Sequence, residues 1–175
     1  MPRLNPETVA FIERGGRTLR CHTMPMLQTQ SVAAHSYGVA WWCHLLSGES
    51  GASAKLLMAA LKHDVAEHET GDVPSPTKDA LKIRSLLNAY EARLEESAGL
   101  PVLHLTGNED RILKLADSLE LMQHCVRERR YGNRHDEIAE MFANVRRYAD
   151  TLLVAAIDHE AFTLVVKNWE KVNER

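Results

Sequence analysis

Histidine and aspartate stand side by side at His63-Asp64, at the end of an apolar stretch, and Glu67 follows four residues after the histidine. A neighbouring imidazole nitrogen and carboxylate oxygen can be offered to one point in space, which is the chemistry of metal ligation. Two ligands leave a metal under-coordinated, so others have to come from elsewhere in the chain. His35, followed by Ser36, and Asp117, set between Ala116 and Ser118 among apolar neighbours, are the candidates. Two imidazoles and two carboxylates suit one divalent ion, whether Co2+, Mn2+, Zn2+ or Mg2+, with positions left open for water and a substrate. Such an ion lowers the pKa of bound water and neutralises charge on a nearby oxygen. Each residue alone also has a plainer explanation. A lone histidine on an apolar helix is usually a packed residue with one hydrogen bond, and His-Asp pairs are common by chance. Asp117 is harder to dismiss, because an unpaired buried carboxylate is costly.

Helices have to position these groups. Asn5-Pro6 reads as an N-cap and first helical residue, and Gly15-Gly16 as the end of that short helix. Ser31 opens a second helix, through His35 and Trp41-Trp42 to about Leu46. A third runs from about Ser53 to Glu67, with Leu56, Leu57, Ala60 and Leu61 at core spacing. Thr70 to Lys78 holds two prolines and a glycine and reads as a stiff loop. A fourth helix is expected from Asp79 to Ala98. A fifth starts at Asn108 with the acidic Glu109 and Asp110, and ends near Gly132-Asn133. His135 to Val172 reads as one or two more. With no alternating run of β-branched residues, no repeat and no linker, the expectation is one all-α domain over residues 1–175. In such a bundle, facing helices can bring His35, His63-Asp64 and Asp117 together.

Composition narrows the function classes. Hydrophobic residues at 45% and charged residues at 26% are those of a globular protein rather than a disordered one. A net charge of −3 provides no general attraction for nucleic-acid polymers. No apolar run is long enough to span a bilayer, and the first residues lack the apolar core of a secretory signal. Cys21, Cys43 and Cys125 are scattered, without a CxxC pair, which argues for reduced thiols and against a zinc ribbon. The expected setting is the cytoplasm.

The order His35, His63-Asp64, Asp117 resembles the metal-ligand order of the HD superfamily of phosphohydrolases. Within it, the stretch HDVAEHETGDVPSPTK, His63 to Lys78, resembles bacterial 5′-deoxynucleotidases and phage dATP triphosphohydrolases. Those relatives share the spacing of His-Asp, Glu, Gly-Asp, two prolines and a lysine. The similarity runs from about Arg17 to Asn133. It implies an HD-type bundle of roughly six or seven helices, with His35, His63, Asp64 and Asp117 on one divalent metal ion. It further implies that Glu67 orients or deprotonates the attacking water and that Asp72 is the second acid/base group. Local alternatives are a helix cap for Glu67 and an Asx turn for Asp72. Arg20 and Lys78 are the implied phosphate contacts, since phosphoryl transfer depends on positioning and charge stabilisation. The family commonly carries tryptophan after that arginine, whereas Cys21, His22 and Thr23 stand here. The base is then expected to be held by His22 or by the rigid loop Pro74 to Thr77, with Pro76 in it.

The resemblance implies a small deoxynucleotide as substrate and a homo-oligomer, with Trp41, Trp42 and the C-terminal helix as contact surfaces. The favoured activity is release of deoxyadenosine and triphosphate from dATP, by attack of activated water on the α-phosphorus. Removal of phosphate from deoxynucleoside monophosphates is the alternative. A non-catalytic HD domain that senses nucleotide is a different class of reading, against which Glu67 and Asp72 speak. Arg127, Arg129, Arg130 and Arg134 form a basic cluster that reads either as a solvated helix end or as a receiver of distal phosphates.

Overall fold

Asn5 accepts the backbone N–H of Glu7 and starts α1 (Pro6–Arg17), with Pro6 at the first helical position, where its missing N–H costs nothing. The structure is a computed structural model that describes residues 5–174. Helix α1 runs through Gly15-Gly16, which the sequence suggested as its end. Gly15 serves close approach instead: a Cβ there would lie 2.3 Å from the carbonyl oxygen of Val65. The chain then forms β1 (Leu19–Arg20), paired antiparallel with β2 (Gln30–Ser31) in the register Leu19 to Ser31 and Arg20 to Gln30. Two-residue strands are too short to leave an alternating pattern in the sequence.

Ser31 caps α2 (Val32–Leu46) through the N–H of Ala34, and Ser53 caps α3 (Ala54–Lys62) through that of Leu56. Helix α3 stops at Lys62 rather than continuing to Glu67. Residues 63–66 instead make tight turns, with Val65 N–H donating to the Lys62 carbonyl at 3.0 Å and Glu67 N–H to the Asp64 carbonyl at 3.1 Å. His63 and Asp64 therefore sit in the turn after the helix. A short α4 (Glu67–Thr70) follows, and α5 (Ser75–Ala80) occupies part of the expected loop, with Pro76 in its first turn, where proline is tolerated. Lys82, at φ 56°, breaks the chain before α6 (Arg84–Ser97), which accordingly starts later than Asp79.

Thr106 and Glu109 close a capping box that begins α7 (Gly107–Arg130), two residues ahead of the expected Asn108. The remainder forms two helices, α8 (Asp136–Asp150) and α9 (Ala156–Asn173). The architecture is all-α, as expected, apart from the short β-ladder. Helix α7 is its axis: Leu115, Leu119, Met122 and Val126 are fully buried against Val39 and Cys43 of α2, Leu56 and Ala60 of α3, Ile138 and Phe142 of α8, and Val165 of α9. Buried Asp158 of α9 pairs with Arg111 of α7 at 2.7 Å and also accepts the N–H groups of Val154 and Ala155, tying the last helix to the axis. Trp42 packs against the core, while Trp41 is 52% exposed. No helix among the described residues is long and apolar enough to cross a membrane.

A smaller cluster, Phe11, Val65, Ala66 and Ala98, seats α1 under the turn that carries His63 and Asp64. Replacing Gly15 by alanine drives a methyl into the Val65 backbone, which has no side-chain freedom to yield. Gly15→Ala is expected to destabilise the fold by about 1–3 kcal/mol, the range for overpacking. Denaturant unfolding checks this, and an unchanged midpoint would refute the close-approach role.

Candidate metal centre and active site

His35 lies on the first turn of α2, fully buried, and Asp117 projects from the middle of α7. Between them comes the turn after α3. His35 Nε2 is 3.1 Å from Asp117 Oδ1, 3.2 Å from His63 Nε2 and 3.7 Å from Asp64 Oδ2. His63 Nε2 is 3.2 Å from Asp64 Oδ2 and 4.0 Å from Asp117 Oδ1. The structure thus brings His35, His63, Asp64 and Asp117 together, and the ligand atoms of His35, His63 and Asp64 lie within 4.8 Å of one another.

Ring orientation tests whether these groups fit an ion. The Nδ1 atom of His63 is 2.8 Å from the Ala60 carbonyl, which can only accept, so Nδ1 carries the proton. His35 Nδ1 faces a carboxylate oxygen of Glu120 at 2.7 Å, with the same consequence. In the neutral rings, both Nε2 lone pairs then point at each other and at two carboxylates. That arrangement is repulsive unless something positive lies among the four, and the donor set is one that divalent ions accept. Without an ion, protons and Arg20 supply the charge. Burial opposes protonation of His63, but Asp64 outweighs it and pushes the imidazole up to about 9. Burial opposes charge on Asp64 too, yet His63 and Arg20 hold its carboxyl far below the usual range. Asp117 is likewise lowered against burial, by its hydrogen bond to His35. Arg20 donates to Asp64, and its second nitrogen is 4.0 Å from Asp117.

Glu67 is buried beside this cluster, with one carboxylate oxygen free of any hydrogen bond and the other 3.8 Å from Lys78 Nζ. Burial and the nearby Asp64 push its carboxyl up to about 8. The helix-cap alternative does not describe its side chain, which makes no capping bond. Asp72 accepts the backbone N–H of Cys21 at 2.5 Å, joining the α4–α5 loop to the end of β1. Cys21 itself has φ 52°, a left-handed conformation uncommon for a non-glycine residue. His22 and Thr23 are exposed in the turn that follows, and Pro76 is exposed on α5. Among the described residues, no hydrogen bond joins these three to the cluster.

Sequence reasoning missed Glu120, Gln30, Gly38 and the role of Arg127. Glu120 stands three residues after Asp117, on the same face of α7, and that spacing was the signal available. Arg127 Nη2 donates to Glu120 at 2.8 Å. Buried Arg129 stacks over Trp169, its Cζ 5.3 Å from the ring centre, and donates to the Asn133 carbonyl. Arg134 donates to the Arg129 carbonyl, and both it and Arg130 are exposed at the end of α7. The solvated-end reading therefore fails for Arg129.

A family model described as an HD domain matches residues 13–173. The chain is 36% identical over 116 residues to a dATP triphosphohydrolase of Salmonella phage PMBT28, covering 59% of this chain and 58% of that one. The match therefore spans less than two thirds of that relative. It is 28% identical over 139 residues to the 5′-deoxynucleotidase plu3092 of Photorhabdus laumondii subsp. laumondii, covering 66% and 70%. Among solved structures, PH0347 protein of Pyrococcus horikoshii OT3 superposes with a TM-score of 0.66 at 18% identity, covering 93% and 98%. A cyanophage S-2L HD phosphohydrolase, DatZ, bound to dA and one catalytic Zn2+ ion, gives 0.64 at 16% identity over the full length of both chains. At such identities the likeness is one of fold.

If both imidazoles are ligands, metal binding has to displace the proton that His63 holds up to a pH of about 9. Zn2+ binding is expected to release protons, and affinity is expected to fall as pH drops below that value. Competition titrations with a chelator, and calorimetry in buffers of different ionisation enthalpy, measure this. Affinity that does not change with pH would remove His63 from the ligand set.

Proposed function

The chain belongs to the HD domain family, and from that premise we propose that it is a metal-dependent phosphohydrolase of deoxynucleotides. The observation that carries this reading is the convergence of His35, His63, Asp64 and Asp117 next to a buried carboxylic acid, Glu67, and two cations, Arg20 and Lys78. We assign the four converging residues as ligands of one divalent ion, which when bound supplies a Lewis acid and lowers the pKa of water.

The remaining work falls to the protein. Glu67 is placed to take a proton from the attacking water on its unpartnered oxygen. To act as a base it must first be ionised, and Arg20 and Lys78 favour that form against the burial that raises it. Lys78 and Arg20 bind and neutralise the phosphoryl oxygens as charge develops on them. Asp72, anchored by the Cys21 N–H, is assigned to proton delivery toward the 5′ oxygen as the nucleoside leaves. The same anchor fixes the Arg20-to-Thr23 turn beside the phosphate, which supports assigning Cys21, His22, Thr23 and Pro76 to the sugar and base.

For the substrate, we favour dATP, with attack at the α-phosphorus and release of deoxyadenosine and triphosphate. The 36% identity to a phage protein of that name supports it. Removal of phosphate from deoxynucleoside monophosphates is the second reading. It is favoured by the engagement of Arg127 and Arg129 with internal partners, which leaves fewer arginines for distal phosphates. In either case we read residues 1–175 as one catalytic unit acting on a small molecule, as a homo-oligomer in the cytoplasm.

Metal-supplemented protein offered dATP and dAMP separately is expected to yield triphosphate from dATP. Orthophosphate from dAMP, with dATP left intact, would establish the monophosphatase instead. Glu67→Gln is expected to lower kcat by about 100- to 10,000-fold, the contribution of a general base, while Zn2+ binding persists. A Glu67→Gln enzyme with normal turnover would refute the base assignment.

A further inference from the structure

Glu120 is buried at 3% exposure in a helix, and an ionised carboxylate there needs partners. It has three. One oxygen faces His35 Nδ1 at 2.7 Å, and the other accepts from Gln30 Nε2 at 2.9 Å and Arg127 Nη2 at 2.8 Å. An amide and a guanidinium cation both donate to one of its oxygens, which is the setting of a carboxylate. As a carboxylate it can only accept, so the proton between it and His35 belongs to the imidazole Nδ1. The backbone has been shaped around this contact. Gly38 lies one turn after His35 on α2, and a Cβ there would sit 2.6 Å from Glu120 Cγ. Glycine inside a helix costs about 0.5–1 kcal/mol relative to alanine, so the space it leaves serves something other than the helix.

We propose that Glu120 is a positioning residue of the metal centre, held by Gln30 and Arg127 and admitted by Gly38, which keeps the His35 Nε2 lone pair facing the other ligands. The inference rests on the assignment of His35 as a ligand. Asp117 and Glu120, one turn apart on α7, thus meet opposite edges of the same imidazole, the first on the ligand side and the second behind it. Carboxylates behind metal-bound histidines fix the ring and its tautomer in this way. The geometry also gives Arg127 a place in the metal centre rather than in phosphate recognition.

Glu120→Gln is the informative variant, because the amide has one acceptor where the site needs two. With its NH2 toward Gln30 and Arg127, donors face donors. With its NH2 toward His35, the ring is driven to the Nε2–H tautomer, which has no lone pair for an ion. Zn2+ affinity of the variant is expected to fall about 10- to 100-fold. Nitrogen-15 spectra of the histidine rings are expected to show Nδ1–H at His35 in the wild type and its loss or exchange broadening in the variant. Gly38→Ala, which pushes on Glu120 from α2, is expected to weaken Zn2+ binding as well. Equal Zn2+ affinity in wild type and Glu120→Gln overturns the proposal. So does a neutral wild-type His35 protonated on Nε2, whether or not either variant folds. Wild-type protein that binds no Zn2+ would overturn the ligand assignment itself, whereas Zn2+ binding that ignores Glu120 overturns only its positioning role.

Discussion

Two imidazole nitrogens 3.2 Å apart, each 3.1–4.0 Å from two carboxylate oxygens, are incompatible without a positive charge among them. Most of the surrounding structure can be understood as a response to that constraint. Arg20 reaches in from the β-ladder against Asp64 and Asp117. Lys78 comes from α5, and Glu67, its carboxyl pushed up by burial and by Asp64, lies at the edge of the cluster. Taken together, the site has the charge pattern of a place that receives a cation and an anion in contact.

Holding such a cluster requires rigid support, and α7 provides it. The helix is buried on most of its circumference, so its apolar residues make the core while its polar ones find partners inside. Asp117 and Glu120 handle His35 from two sides, and Glu128 accepts the N–H groups of Leu27 and Gln28, fixing the loop that leads into β2. Asn133 donates to both Glu128 and the Pro25 carbonyl, so the end of α7 is laced to the same loop. Buried polar groups are costly when unbonded, and the bonds of Glu128 and Asn133 also hold the loop before β2, the strand that pairs with the one carrying Arg20.

The turn at residues 63–66 is the second structural decision. His63 Nε2 lies 3.2 Å from Asp64 Oδ2, with His63 secured by the Ala60 carbonyl and the turn seated on Gly15 of α1. The Gly71-Asp72 turn then brings Asp72 back to the Cys21 N–H, closing the site across a span of 51 residues.

Local chemistry made part of this legible in the sequence alone. The helical period, the caps at Asn5, Ser31 and Ser53, and the helix ends near Ala98 and Gly132-Asn133 depend on residues close in sequence, and they appear where expected. The order and types of His35, His63, Asp64 and Asp117 likewise sufficed to suggest a metal-binding set. What only tertiary structure decided were matters of contact between distant segments. Gly15-Gly16 looked like a helix end, yet Gly15 is small because Val65 passes over it. Glu120 looked like an ordinary helical glutamate until α2 placed His35 against it. Arg127 and Arg129 looked like a solvated cluster until Glu120 and Trp169 were found beneath them. Sequence spacing specifies which face of a helix a side chain occupies, but the identity of its neighbour depends on how the helices pack.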